Sequence, residues 1–265
     1  MNIIIREMKA NLKSLIIWSI GVLVMVIAGM GKYAGMNGTG QTMNELMAEM
    51  PRSMQAIMGT SGFDLSTALG FYGLLYLYLI VMASIHAVML GANIIAKEER
   101  DKTAEFLLVK PISRAKIISM KLLTAFIHIV VFNLVTLVSS IIMVERYAEA
   151  EAVTEDILLL MIGLFILQLI FLLLGSGIAA VYKKAKKASA IATGILLILF
   201  ILSMLINMTE KIEILQYFTP FKYFEAEHIL NNGNLEPVYL VLSAIVIVAF
   251  TIVTYRFYEK KDLNL

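Results

Sequence analysis

The sequence predicts an all-α integral membrane protein with six transmembrane helices, and three observations carry that reading. Hydrophobic residues make up 60% of the chain and the mean hydropathy is +0.84, too apolar for a water-soluble chain of 265 residues. Six stretches contain no Asp, Glu, Lys or Arg: 14–31, 65–96, 122–144, 157–182, 188–209 and 237–255. Each is about as long as the roughly 20 apolar residues that a spanning helix needs. Positive charge is also concentrated in alternate connections, the distribution that sets the orientation of a multi-pass chain.

The spans are expected at about 14–31, 69–96, 117–144, 157–182, 188–208 and 237–257, in a single domain over residues 1–265. The second uncharged stretch exceeds what one hydrocarbon core requires, so it is expected to tilt or to continue past the interface. The first is read as a span and not as a cleaved signal, because no A-x-A-like site follows it. Lys and Arg number seventeen in the N-terminal tail, the second and fourth connections and the C-terminal tail, against five in the other connections (Lys32, Arg52, Arg146, Lys211, Lys222). That bias places both termini on the inner side. The absence of cysteine excludes disulfides, thiolate metal sites and cysteine nucleophiles.

At the N-terminus, Ile5, Met8, Leu12 and Leu15 share one helical face while Arg6, Lys9 and Lys13 share another. The pattern suits a basic amphipathic helix on the inner leaflet or a plain basic flank. In the first outer connection, residues 41–58 carry Met43, Leu46, Met47, Met50, Met54, Ile57 and Met58 at helical spacing after a Thr42/Glu45 capping box, with a break expected at Pro51. Such a stripe either packs on the spans and interface or offers a deformable surface to an apolar cargo. The last outer connection holds two short helix signals. Thr209 is placed to cap one over 210–218; Thr219-Pro220, an N-cap followed by Pro at the first helical position, opens the other, which is aromatic at its start and stops at Asn231-Asn232-Gly233. An interfacial or re-entrant hairpin is expected there, in an anchoring role or against cargo.

The connection between spans two and three is the most informative. Glu98, Lys102 and Glu105 recur at helical spacing on one face, with Ala104, Leu107, Leu108 and Pro111 opposite. Pro111 ends the predicted helix and Ser113 is placed to cap the next. A short amphipathic helix joining two spans can accept a partner and push on both.

These residues resemble the permease subunits of ABC-2 type ATP-driven exporters. The family pattern is an acidic pair, here Glu98-Glu99, then T-x-E-x-L-L, here Thr103 to Leu108 with Glu105 and Leu107, then P-[IV]-S-R, here Pro111-Ile112-Ser113-Arg114. The N-terminal helix, the six spans and the segment Thr219–Phe224 are similar as well, so the resemblance covers the whole chain. It implies a cell-membrane exporter permease with a coupling helix, formed by Glu98, Glu99, Lys102, Thr103, Glu105, Leu107, Leu108, Pro111, Ser113 and Arg114, that docks on a separate ABC ATPase subunit. ATP and Mg would be bound by that partner and no cofactor by this chain. A second permease, identical or a paralogue, would complete the translocation path. No nucleic-acid partner is implied.

The sequence agrees by omission: none of its sixteen glycines falls in the G-x-x-x-x-G-K-[ST] phosphate loop. Small residues at Gly70 and Gly73, or Gly175, Ser176 and Gly177, are candidates for close helix packing, between permeases or within the chain. Polar residues inside the spans are few: His86 and Asn93, His128 and Asn133, Gln168, and Asn207 near the end of the fifth. They are read as pathway residues or interhelical hydrogen-bond partners. A secondary transporter or channel is the alternative, weakened by the lack of any carboxylate in the uncharged stretches. An intramembrane enzyme is a further one, weakened because Glu98-Glu99 is followed directly by Arg100 and the three histidines are scattered. No metal site or nucleophilic triad assembles. The methionine stripe and apolar spans point to an amphipathic peptide, a hydrophobic toxin or a lipid-like molecule as cargo.

Overall fold

The computed structural model describes residues 3–36, 43–51, 54–55, 63–103, 112–148 and 152–261. Its α-helices are α1 (Ile3–Met36), α2 (Met43–Ala48), α3 (Ala68–Arg100), α4 (Arg114–Glu145), α5 (Thr154–Val181), α6 (Ala185–Met208), α7 (Ala226–Asn232) and α8 (Pro237–Lys260). Two 3-10 helices, Glu210–Phe218 and Pro220–Phe224, lie between α6 and α7. Among the described residues there are no strands, and α1, α3, α4, α5, α6 and α8 are long and apolar enough to cross a bilayer.

The N-terminal turns are continuous with the first span. At ~1.5 Å per residue the resulting helix is about 50 Å long. Its bundle-facing side buries Ile3 and Glu7, while Ile5 and Leu12 remain exposed. The predicted apolar face is therefore split: Ile5 and Leu12 look outward, Met8 is half-buried and Leu15 packs into the core.

α3 and α5 form the centre of the bundle, with α8 against α5, α1 against α4, and α6 against α3. The most apolar windows of α3 and α5 are 72% and 61% buried, against 17% in α8, so the peripheral helices keep an apolar face for lipid. What brings the two central helices together is a pair of glycines. A Cβ on Gly91 would lie 2.0 Å from the carbonyl oxygen of Leu172, and one on Gly175 would lie 2.2 Å from that of Val88. Both obstacles are backbone, so no side chain at either position fits without moving a helix. Ser176 donates its hydroxyl across the contact to the Gly91 carbonyl at 3.3 Å and, within α5, to the Leu172 carbonyl at 2.8 Å. Gly70 faces the backbone of Asp64, Gly73 the ring of Phe63 and Gly177 the ring of Phe250, so all of these small-residue candidates serve packing within the chain.

The buried hydroxyls of Tyr72 and Tyr76 follow the rule that polar groups in an apolar interior find partners. Tyr72 donates to Ser140 Oγ at 2.7 Å and Tyr76 to the Leu160 carbonyl at 2.8 Å. At the start of α3, Thr67 caps the helix by accepting from the Gly70 amide at 3.0 Å. The Ser66 hydroxyl and the Asn44 amide hold the Asp64 carboxyl below its ordinary pKa. The methionine-rich stripe lies largely outside the described residues; within them α2 stops before Pro51, and Met54 is exposed.

After α6 the chain turns back into the bundle. Neither Thr209 nor Thr219 makes the expected side-chain cap. Thr219 instead donates its hydroxyl to the Leu199 carbonyl at 2.8 Å, nine residues before the end of α6 and so ~13 Å along its axis. Every residue of Pro220–Phe224 is buried, with Phe221 between Phe171 and Phe200 and Tyr223 stacked on Tyr239 at 4.9 Å. The aromatic segment is a re-entrant wedge among α5, α6 and α8. The helix predicted to run on from Pro220 breaks at Glu225, and α7 ends at Gly233, whose φ of +64° is the left-handed cap that favours glycine.

Candidate functional site at the basic end of the bundle

One end of the bundle collects the termini of α1, α3, α4, α5 and α8 with most of the charged side chains. α3 ends at Arg100 because Lys102 takes a φ of +55°, which lets the Thr103 amide donate to the Glu98 carbonyl at 2.8 Å. Glu98 and Lys102 therefore do not share the face of a helix beginning at residue 98. Glu98 belongs to the last turn of the span, while Asp101, Lys102 and Thr103 are exposed beyond it. Glu105, Leu107, Leu108 and Pro111 lie outside the described residues. Ser113 caps α4 as expected, accepting from the Lys116 amide at 3.3 Å.

Glu98 points inward. Its carboxylate accepts from the ammonium of Lys121, which is fully buried two turns into α4 and also donates to the Ile94 carbonyl. The other carboxylate oxygen takes Arg6 at 3.0 Å, and Arg6 also holds Glu7 at 2.7 Å. Lys97 approaches Glu7 at 3.5 Å. Two carboxylates and three cations thus join α1, α3 and α4. Charges removed from water persist only when paired and hydrogen-bonded in this way.

The second cluster involves α8. Lys261, just past its end, pairs with Glu99 at 2.7 Å and donates to the carbonyls of Ala179 and Tyr182 at 3.0 Å each, at the C-terminus of α5. All three ammonium donors are then used, and a cation caps a helix C-terminus where the dipole favours it. Arg114, at the start of α4, donates to the carbonyls of Glu259 and Lys261 at 3.0 and 2.8 Å. The residues flanking segment 101–112, Glu99 before it and Arg114 after it, are therefore both fastened to Lys261.

The polar residues within the spans divide. Asn93 accepts from Arg100 at 3.0 Å, and Asn133 donates to Gln168 at 3.3 Å. Asn207 accepts from the buried Lys222 at 2.6 Å. His86 is stacked on Phe132 at 4.8 Å and lies 5.6 Å from Trp18. His128 Nδ1 sits 2.9 Å from the Thr124 carbonyl. His86 Nδ1, His128 Nε2, Gln168 Nε2 and Ser84 Oγ are buried without a hydrogen-bond partner. Trp18 also walls an apolar groove of about 480 Å³ between α1, α3 and α6, with Met25, Tyr78, Met82, Phe200 and Met204. One ring thus separates His86 from a surface open to lipid.

Sequence reasoning missed Lys121, Lys261, Arg6 and Glu7 as site residues. Lys121 is the last charge before the uncharged run 122–144, and an acidic pair at the flank of the preceding span was the signal that a cation there had a partner. Nothing in the sequence links Lys261 to Glu99.

Six apolar helices, four packed around two central ones, with charges gathered at one end, define a multi-pass α-helical membrane protein. The chain belongs to the ABC-2 family of transporter proteins, whose profile matches residues 1–263. That family is a transmembrane component of ABC transporters, whose ATPase is a partner. No curated protein matches the chain in sequence.

Proposed function

We propose that this chain is the permease subunit of an ATP-driven exporter in the cell membrane, with both termini cytoplasmic. A separate ATPase binds ATP and Mg and docks on segment 101–112. A second permease, identical or paralogous, completes the path. The cargo is an amphipathic peptide, a hydrophobic toxin or a lipid-like molecule, moving along apolar surfaces such as the groove beside Trp18.

The observation that carries this reading is the attachment to Lys261 of the two residues that flank segment 101–112, Glu99 and Arg114. A load on that segment reaches α3 and α4 directly, α8 through Lys261 and Arg114, and α5 through the carbonyls that Lys261 holds. Glu98 adds α1 through Arg6. Because Glu98 and Glu99 are engaged internally, the docking contacts fall to the exposed Asp101, Lys102 and Thr103 and to Glu105, Leu107 and Leu108.

Co-purification with the ATPase tests the proposal. Glu105→Lys should weaken association on the order of 2–5 kcal/mol if the contact is desolvated, and Leu108→Asp should abolish it by placing a charge in an apolar contact. Normal association and export in both variants would remove the docking segment from the proposal. Orientation is tested separately, since the chain has no cysteine of its own. In intact cells an impermeant thiol reagent should label Asn232→Cys and spare Lys186→Cys, and the reverse pattern would invert the topology.

A further inference from the structure

At the basic end, a cavity of about 390 Å³ opens between the ends of α5 and α8, lined by Glu99, Val181, Lys183, Phe257, Lys260 and Lys261 among others. Its charges are unequal in status. Glu99 is neutralised by Lys261, whose three donors are all used. Lys183 and Lys260 are exposed, and among the described residues neither ammonium group has an ion pair or hydrogen bond. Among the described residues, these two positive charges of the cavity have no acidic partner.

Its rim has a different character. Val181 is 48% and Phe257 50% exposed, both on helices whose outward faces are apolar. An ammonium pair next to an exposed aliphatic and an exposed aromatic side chain, at the depth where two spans end, matches a molecule with an anionic head and an apolar tail. A free anion would gain nothing from Val181 and Phe257, and a zwitterionic lipid would bring its own cation to Lys183 and Lys260.

We propose that this cavity binds an anionic phospholipid, with Lys183 and Lys260 on the phosphate and the acyl chains leaving past Val181 and Phe257. Which leaflet supplies the lipid follows from the proposed orientation; the binding itself depends on neither that orientation nor the transport reading. The site abuts the Glu99–Lys261 pair, so an occupant would bear on the attachment of segment 101–112.

Native mass spectrometry of the purified chain, released from micelles containing phosphatidylglycerol or phosphatidylcholine, tests this directly. The wild-type chain should retain one phosphatidylglycerol in preference to phosphatidylcholine. Lys183→Gln/Lys260→Gln should reduce that preference by about 20- to 30-fold, from roughly fivefold per lysine near a lipid phosphate. Lys186→Gln/Lys187→Gln, which removes the same charge outside the cavity, should leave it largely unchanged. Excess inorganic phosphate should not displace the lipid. Equal retention of the two lipids by the wild-type chain would overturn the proposal whether or not the variants fold. So would an undiminished preference in Lys183→Gln/Lys260→Gln, an equal loss in the control pair, or displacement by inorganic phosphate, which would mark a free-anion site.

Discussion

Lys121→Met is expected to cost about 3–5 kcal/mol of folding stability, because it leaves the Glu98 carboxylate buried with, among the described residues, Arg6 as its remaining cationic contact. Methionine matches the length and flexibility of the lysine stem, so the loss reports charge and hydrogen bonding more than packing. The sign of the double variant is the sharper test. Glu98→Gln/Lys121→Met removes both charges and should recover most of the stability, since replacing a buried ion pair by neutral groups is often neutral or favourable. Unfolding of the purified chain in mixed micelles, read as a double-mutant cycle, gives the coupling energy. A single variant that costs under ~1 kcal/mol, with additive behaviour in the double, would mean that the pair is wet and behaves as a surface salt bridge.

Lys261→Met should have its largest effect on coupling between ATP hydrolysis and transport. It frees Glu99 from its partner, removes the cap from the Ala179 and Tyr182 carbonyls, and cuts the link between α8 and the end of α3. Arg114 still reaches the α8 carbonyls, so the bundle keeps one of its two fastenings. In the complex with the ATPase, expression and subunit association should be preserved, while cargo moved per ATP falls on the order of tenfold, corresponding to about 1–2 kcal/mol of coupling. Lys261→Arg keeps the charge but not the compact three-donor geometry and should fall between the two. Wild-type transport per ATP in Lys261→Met, with normal expression, would assign the residue to helix capping alone.

Legibility from the sequence followed the range of the interaction. The six spans were readable because twenty apolar residues in a row satisfy a local condition, and the left-handed cap at Gly233 because glycine at a helix end meets a local backbone demand. Ser113 was readable as a cap for the same reason. Glu98 does not lie on the helical face that its spacing predicts. Its spacing to Lys102 fitted a helix, but the backbone turns left-handed at Lys102 and the carboxylate faces a lysine 23 residues away. Thr219 has the local pattern of a cap but spends its hydroxyl on a carbonyl in the preceding span.

The sequence by itself therefore determined the solvent, the number of spans and the family, because each rests on composition or on a contiguous pattern. Only the tertiary structure decided that Gly91 and Gly175 set the closest approach of the central helices, that the aromatic segment Pro220–Phe224 is a buried wedge, and that Lys121 and Lys261 hold the acidic pair at the end of the second span. Those outcomes depend on which helices become neighbours. In a low-dielectric bundle an unpaired charge or a mismatched backbone contact costs too much to be left unresolved. The partner is therefore fixed by packing in space, across separations that local pattern does not record.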